Sequence, residues 1–242
     1  MRYPWLRLLF CTVWCCLYSV AGQAQQSNNN EKQESTKAGV AGGEAWPSLQ
    51  PDDYLRPSQG YLISPAYAAD YYPKLREVLF AGLSDSPTAR VVVQPSFAPE
   101  YVVSIDQKAA TYFLTYQVCQ TSLWSTLAHK GKLVEVTTKT VEISQTLATA
   151  IARLFNAAIA QTKYPGPVQR LGFDGTTFTF STFRPGIGLQ GGDTWSPPAG
   201  THMGALVDLA DRLKQVVTMP SNQSLLTALL RDAGRLTTEL KK

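Results

Sequence analysis

The sequence predicts an α+β fold: an antiparallel sheet of about four to five strands with helices packed on one face, plus C-terminal helices. Three observations carry this. From Ala89 to Ser144 the pattern is β-like, in short β-branched apolar runs and in stretches that alternate with period two. After Ser144 they recur mainly at three- and four-residue spacing, the period of an amphipathic helix. Regular strand–helix–strand alternation is missing, which argues against a doubly wound parallel sheet.

The whole chain sets the frame for these elements. It has 242 residues, of which 44% are hydrophobic and 17% charged, and a formal net charge of +4. That composition is globular rather than disordered. The basic residues are scattered, with the densest group at Lys241–Lys242, so the one-sided footprint of a nucleic-acid binder is missing. Residues 1–24 read as a signal peptide: Arg2 and Arg7 precede an apolar run, Leu8–Val20, and small residues follow with cleavage expected near Ala21 or Ala24. That run is shorter than the roughly 20 residues a membrane span needs, so no membrane span is expected after cleavage. No cysteine follows a small residue in the way a lipid-anchor site requires. Cleavage removes Cys11, Cys15 and Cys16 and leaves Cys119 alone, so the exported chain has no internal disulfide framework. Residues 25–45 are a polar Gln/Asn/Ser/Gly-rich stretch and read as a disordered linker.

The elements follow in order. Residues 46–88 are a Pro/Tyr-rich extension with one short helix, about Ala66–Ala81, whose Tyr67, Tyr71 and Tyr72 cover one end of the core. The α+β domain spans 89–242. "RVVV" and "EYVVSI" are strands separated by the break "QPSFAP". In "TYFLTYQV", Tyr112, Leu114, Tyr116 and Val118 face one way and Thr111, Thr115 and Gln117 the other. "KLVEVTTKTVEIS" is a further strand whose parity slips between Val134/Val136 and Val141/Ile143, which predicts a bulge near Thr137–Thr138. Ser144 caps a helix to about Gln161, with Leu147, Ile151, Leu154, Phe155 and Ala158 on one stripe. "TTFTFSTF" returns to alternation. After a Gly/Pro-rich loop, Thr201 caps a helix to about Val217, and a last helix carries Leu225, Leu229, Leu236 and Leu240.

Little of the chain has the residue pattern of a chemical site. "GIGLQG" fits G-x-G-x-x-G at Gly186, Gly188 and Gly191, but no helix follows it directly, and the acids about 20 residues on, Asp208 and Asp211, fall in a predicted helix rather than at a strand end. It reads as a mobile glycine loop, and no cofactor is expected. The two histidines, His129 and His202, and the single mature cysteine give no metal-ligand spacing. Cys119 lies in a strand-like run and reads as a buried, inert thiol. A Ser-His-Asp hydrolase can be assembled from Ser196, His202 and Asp174 or Asp193, but no G-x-S-x-G elbow supports it. Asp174–Gly175 reads as a tight turn with positive φ leading into the strand that carries Phe178 and Phe180. If that turn meets "TWSPPAG" in space, Asp174 would tie the loop down through Thr194 or a backbone N–H near Trp195.

"VVVQPSFAPEYVVSI", "YFLTYQVCQTSLW", "GFDGTTFTFSTF" and "TWSPPAGTHMGALVDLADRL" together resemble an uncharacterised family of small bacterial exported proteins. The shared motifs are PSFxPEY, the Ser-Leu-Trp that ends a strand, DGTT and TWSP. The resemblance runs from about Ala89 to Val217 and implies no activity and no catalytic residue. The expectation for the whole chain is a periplasmic or secreted, non-catalytic binding or structural module of the cell envelope or secreted fraction, engaging a protein or envelope component. The alternatives are a metal-independent hydrolase and a small-ligand carrier gated by the Gly186–Gly192 loop.

Overall fold

Seven antiparallel strands form one sheet in the order β1-β7-β6-β2-β3-β4-β5. The computed structural model describes residues 53–58, 69–128, 134–165 and 174–242. The expected signal peptide and polar linker, with Tyr67 and His129, lie outside them. All described residues belong to one compact unit, Pro47–Lys242. In chain order the elements are β1 (Arg56–Pro57), α1 (Tyr71–Leu79), β2 (Ala89–Pro95), β3 (Tyr101–Lys108), β4 (Thr111–Cys119) and α2 (Leu123–Ala128). Then come β5 (Val136–Ile143), α3 (Gln145–Ala160), β6 (Thr176–Arg184), β7 (Gly188–Trp195), α4 (His202–Thr218) and α5 (Gln223–Glu239).

The alternation in the strands separates two faces. Val91, Val103 and Phe180 stand side by side across β2, β3 and β6 on the face that α3, α4 and α5 cover. The helical stripes meet them there: Leu147, Ile151, Leu154 and Phe155 of α3 and Leu206, Leu209 and Leu213 of α4 are all buried. Phe155 and Phe180 meet edge to face at 5.0 Å between ring centres, which adds about 1 kcal/mol beyond the area they bury. Ser144, Thr201 and Asn222 cap the three helices, each accepting a backbone N–H three residues on.

The opposite face is mostly polar, and this corrects the expectation of helices on one face only. Val92 and Val102 make a small second core there with Tyr71, Leu75 and Leu79 of α1, Cys119, and Leu123 of α2. The rest of that face carries Arg90, Ser104, Asp106, Thr115, Gln117, Thr179 and Ser181, all buried. α2 was not legible because "QTSLW" reads as a strand ending.

The expected four to five strands become seven. β1 and β7 are the additions, and both lie where the sequence carries strand-breaking residues. β1 is two residues long, contains a proline, and pairs at the sheet edge, where a missing N–H costs least. β7 contains Gly188, Gly191 and Gly192, so the Gly186–Gly192 stretch expected as a mobile loop is a turn and a strand paired with β6 from Gly188 to Trp195. Gly192 is required by close approach: a Cβ there would sit 2.7 Å from Cβ of Leu55 and 3.0 Å from Thr162 Oγ1. The expected bulge near Thr137–Thr138 is absent, and β5 pairs with β4 without a gap from Val136 to Ile143. The parity slip instead marks a change of face. Val134 and Val136 pack on the α1 side, and Val141 and Ile143 pack under the other helices.

Candidate functional site

The sequence motifs converge on one junction. β2 ends at Pro95, β6 begins at Thr176 and β7 ends at Trp195, all at the same end of the sheet. Ser96 donates its N–H (2.9 Å) and its hydroxyl (2.9 Å) to the Gly175 carbonyl, and its Oγ accepts the Gly175 N–H at 3.0 Å. Ser196 mirrors this on the other side. Its N–H reaches the Thr176 carbonyl at 2.9 Å, and its Oγ accepts the Thr176 N–H at 2.8 Å. The Asp-Gly pair and "TWSPPAG" therefore do meet, but it is Ser196 that joins them, while Ser96 ties Gly175 to the end of β2.

Asp174 is exposed, and among the described residues no hydrogen bond joins it to Thr194 or to backbone near Trp195. Nor does Gly175 have the positive φ expected of it. Glycine is needed there because a Cβ would lie 2.5 Å from the Trp195 ring and 2.6 Å from Ser196 Oγ. The hairpin turn of β6 lies at its other end, between Arg184 and Gly188.

Glu100 of the same motif is fully buried, and the sequence, which offers it with Asp174 and Asp193 only as an unspecific carboxylate candidate, does not show its role. Its carboxylate accepts the N–H of Leu123 (2.7 Å) and of Trp124 (3.0 Å), and the Tyr71 hydroxyl at 3.1 Å. It thus fastens the starts of α1 and α2 to the start of β3. Burial, then the charge of Glu100, pushes the Tyr71 hydroxyl well above the usual phenol range. The same two causes push the buried Cys119 thiol up to about 12, so it carries almost no thiolate at neutral pH.

The three hydrolase candidates do not form a triad. His202 is half-exposed at the start of α4, and its Nδ1 lies 2.6 Å from Oδ2 of Asp53. Asp53 Oδ1 accepts the Met203 N–H at 2.9 Å, so this carboxylate also serves the helix N-terminus. Among the described residues no hydrogen bond joins His202 to Ser196, and neither Asp174 nor Asp193 holds the imidazole. No three His, Cys, Asp or Glu side chains among the described residues come together around a possible cation position.

A cleft of about 430 Å³ opens instead on the polar face, between the C-terminal end of α1 and the β6–β7 hairpin. Its floor is Arg90, which stands between Ser104 and Ser181 across the sheet. Arg90 is 3% exposed, and its guanidinium donates to Ser104 Oγ (3.1 Å) and the Ser84 carbonyl (2.6 Å). It lies 3.6 Å from Asp106 Oδ1 and 4.7 Å above the Phe80 ring centre. Burial raises the Asp106 carboxyl, while Arg90 and the Ser104 hydroxyl pull the other way.

The walls hold Arg76 and Asp85, both exposed, with Ser58, Phe80, Leu189 and Gly191. Arg76 makes no ion pair among the described residues. The cleft therefore offers a free cation and an acid beside two apolar surfaces, over a guanidinium already fixed in place. The sequence held one signal of it: Arg90 interrupts an otherwise apolar strand, and Asp106 carries the matching parity on the next.

Compared with known proteins, the chain matches no family model, no curated protein and no solved structure.

Proposed function

We propose that this is an exported, non-catalytic binding module of the bacterial cell envelope or secreted fraction, and that it binds through the α1–hairpin cleft. The observation that carries the reading is the cleft itself: about 430 Å³ with Arg76 and Asp85 on its walls beside Phe80 and Leu189. A pocket of mixed lining with a few placed charges suits a ligand with one carboxylate and an apolar body, such as an acidic side chain or chain end of a partner protein. Export rests on the leader at residues 1–24, and the bacterial setting on the motifs shared with the uncharacterised exported family. Benzoate is the simplest probe with that chemistry. Calorimetry should give saturable binding that Arg76→Glu weakens at least tenfold, the loss of about one charge-assisted bond. Binding that is absent, or indifferent to Arg76→Glu, would remove the cleft.

A second reading has two observations in its favour. The His202–Asp53 pair at 2.6 Å orients an imidazole as a general base requires. Ser196 has a left-handed backbone, φ 40°, between a strand and a helix. Against it, the Ser196 hydroxyl accepts the Thr176 N–H and His202 does not reach it. Hydrolysis of p-nitrophenyl acetate separates the two readings. The expected rate is the same for the native chain, Ser196→Ala and His202→Ala. A rate that falls a hundredfold or more in both variants would establish the hydrolase, on the scale that loss of a triad member produces.

A further inference from the structure

The far end of the β6–β7 hairpin carries apolar side chains where a turn ordinarily carries polar ones. Ile187 is 59% exposed, Leu189 47% and Phe183 36%. None of the three belongs to either core. The tip is shaped by its backbone. Pro185 and Gly186 are the central residues of a turn closed by the Ile187 N–H on the Arg184 carbonyl at 3.0 Å, with Gly186 at φ 80°. Below it, Phe183 pairs with Leu189 and Arg184 with Gly188. The apolar residues are therefore held out from the sheet on a paired hairpin.

Beside the tip, Arg184 turns to the other face of the sheet, where it meets Arg153 of α3 and Lys241 at the chain end around a concavity of about 390 Å³. Asn156 and Gln161 also line it, and no acid does. Among the described residues none of the three cations is in an ion pair. The densest basic group of the sequence, Lys241–Lys242, thus joins two further cations next to an exposed apolar point.

We propose that this corner is a peripheral docking surface for an anionic phospholipid bilayer, with Ile187, Leu189 and Phe183 entering the headgroup boundary and Arg153, Arg184 and Lys241 paired with lipid phosphates. Charge complementarity selects this occupant. An apolar point of two or three side chains binds a bilayer only marginally by itself, and so does a small basic patch. The two together supply the paired signals that stable interfacial attachment needs. Arg184 joins them covalently, as the first residue of the turn that presents Ile187. No described helix is long and apolar enough to cross a membrane, and this surface needs none. Leu189 also lines the cleft, but Ile187, Arg153, Arg184 and Lys241 do not, so substitutions at those four let cleft and corner fail independently.

The test is co-sedimentation of the Pro47–Lys242 unit with vesicles of phosphatidylglycerol and phosphatidylcholine in equal parts, against pure phosphatidylcholine, with a cooperative thermal melt recorded for every variant. The full chain is run alongside. Because its Leu8–Val20 segment can partition alone, only the preference between the two vesicle types is read there. The native unit should prefer the anionic vesicles by at least tenfold, since each cation near such a surface contributes about fivefold. Ile187→Glu should lower the partition at least tenfold, and Arg153→Glu/Arg184→Glu/Lys241→Glu about a hundredfold. Lys139→Glu, on the remote edge strand β5, should change it less than threefold. Equal partition into both vesicle types, or a preference that survives both sets of substitutions, overturns the proposal. So does binding of inorganic phosphate that the triple variant loses and Ile187→Glu leaves intact, because the corner is then an anion site only.

Discussion

Glu100 shows how a single buried side chain can carry a motif. Three groups from two helices converge on one carboxylate that has no exposure to water. Glu100→Ala would leave the Tyr71 hydroxyl without its acceptor and two N–H groups of α2 uncapped, at a cost of about 3 kcal/mol. Urea unfolding measures this directly, and a loss under about 0.5 kcal/mol would remove the role assigned to Glu100. Ser96 and Ser196 work similarly at the start of β6. Ser196 adopts a backbone that costs a non-glycine residue about 1 kcal/mol or more, and its two bonds to Thr176 hold it there. The residue types were legible in the sequence, but their roles were not. A serine that closes a junction looks the same in one dimension as a serine that attacks a carbonyl. Glu100 was legible only as one of three acids, with Asp174 and Asp193, from which a carboxylate pair could be drawn; its capping role was not, because its partners lie 23 to 29 residues away in the chain.

At the scale of elements, legibility follows periodicity. α3, α4 and α5 were readable with their Ser144 and Thr201 caps because each has one wide apolar stripe. β4 and β6 were readable by their alternation, and β2 and β3 by their β-branched apolar runs. β1 and β7 were hidden because proline and glycine oppose strands on average, and only tertiary contacts with Leu55 and Thr162 explain the glycine at 192. α5 also shows how electrostatics joins elements. Asp232 accepts from Arg212 of α4 at 2.8 Å and from Arg231 at 3.0 Å, and those bonds, Arg231 first, lower its carboxyl to about 2. A depressed carboxyl adds stability that is fully present above its unfolded value and disappears as pH falls through the folded one. Melting temperatures of the native chain and Asp232→Asn should therefore differ by a constant amount above about pH 5 and converge toward pH 2. A difference that is as large at pH 2 as at pH 7 would contradict the pairing.

The whole molecule is a sheet with two unlike faces. One is dry and packed by α3, α4 and α5, and it accounts for most of the core. The other buries hydroxyls, an amide and the Arg90–Asp106 pair under the smaller cover of α1 and α2. A buried ion pair is weak support for stability, since desolvation offsets much of its attraction. Its placement under a cleft fits a role in fixing that surface for a ligand. The two-face division was visible in strand parity, whereas the cleft needed α1 to pack on Val92 and Val102 beside the β6–β7 hairpin, which no local pattern announces. Amide NMR of the isotope-labelled Pro47–Lys242 unit titrated with benzoate tests this account most directly. It predicts saturable shifts confined to Arg76, Ser181, Gln190, Gly191 and their neighbours, and their loss in Arg76→Glu. Saturable shifts centred on His202 and Ser196, or none at the cleft, would contradict it.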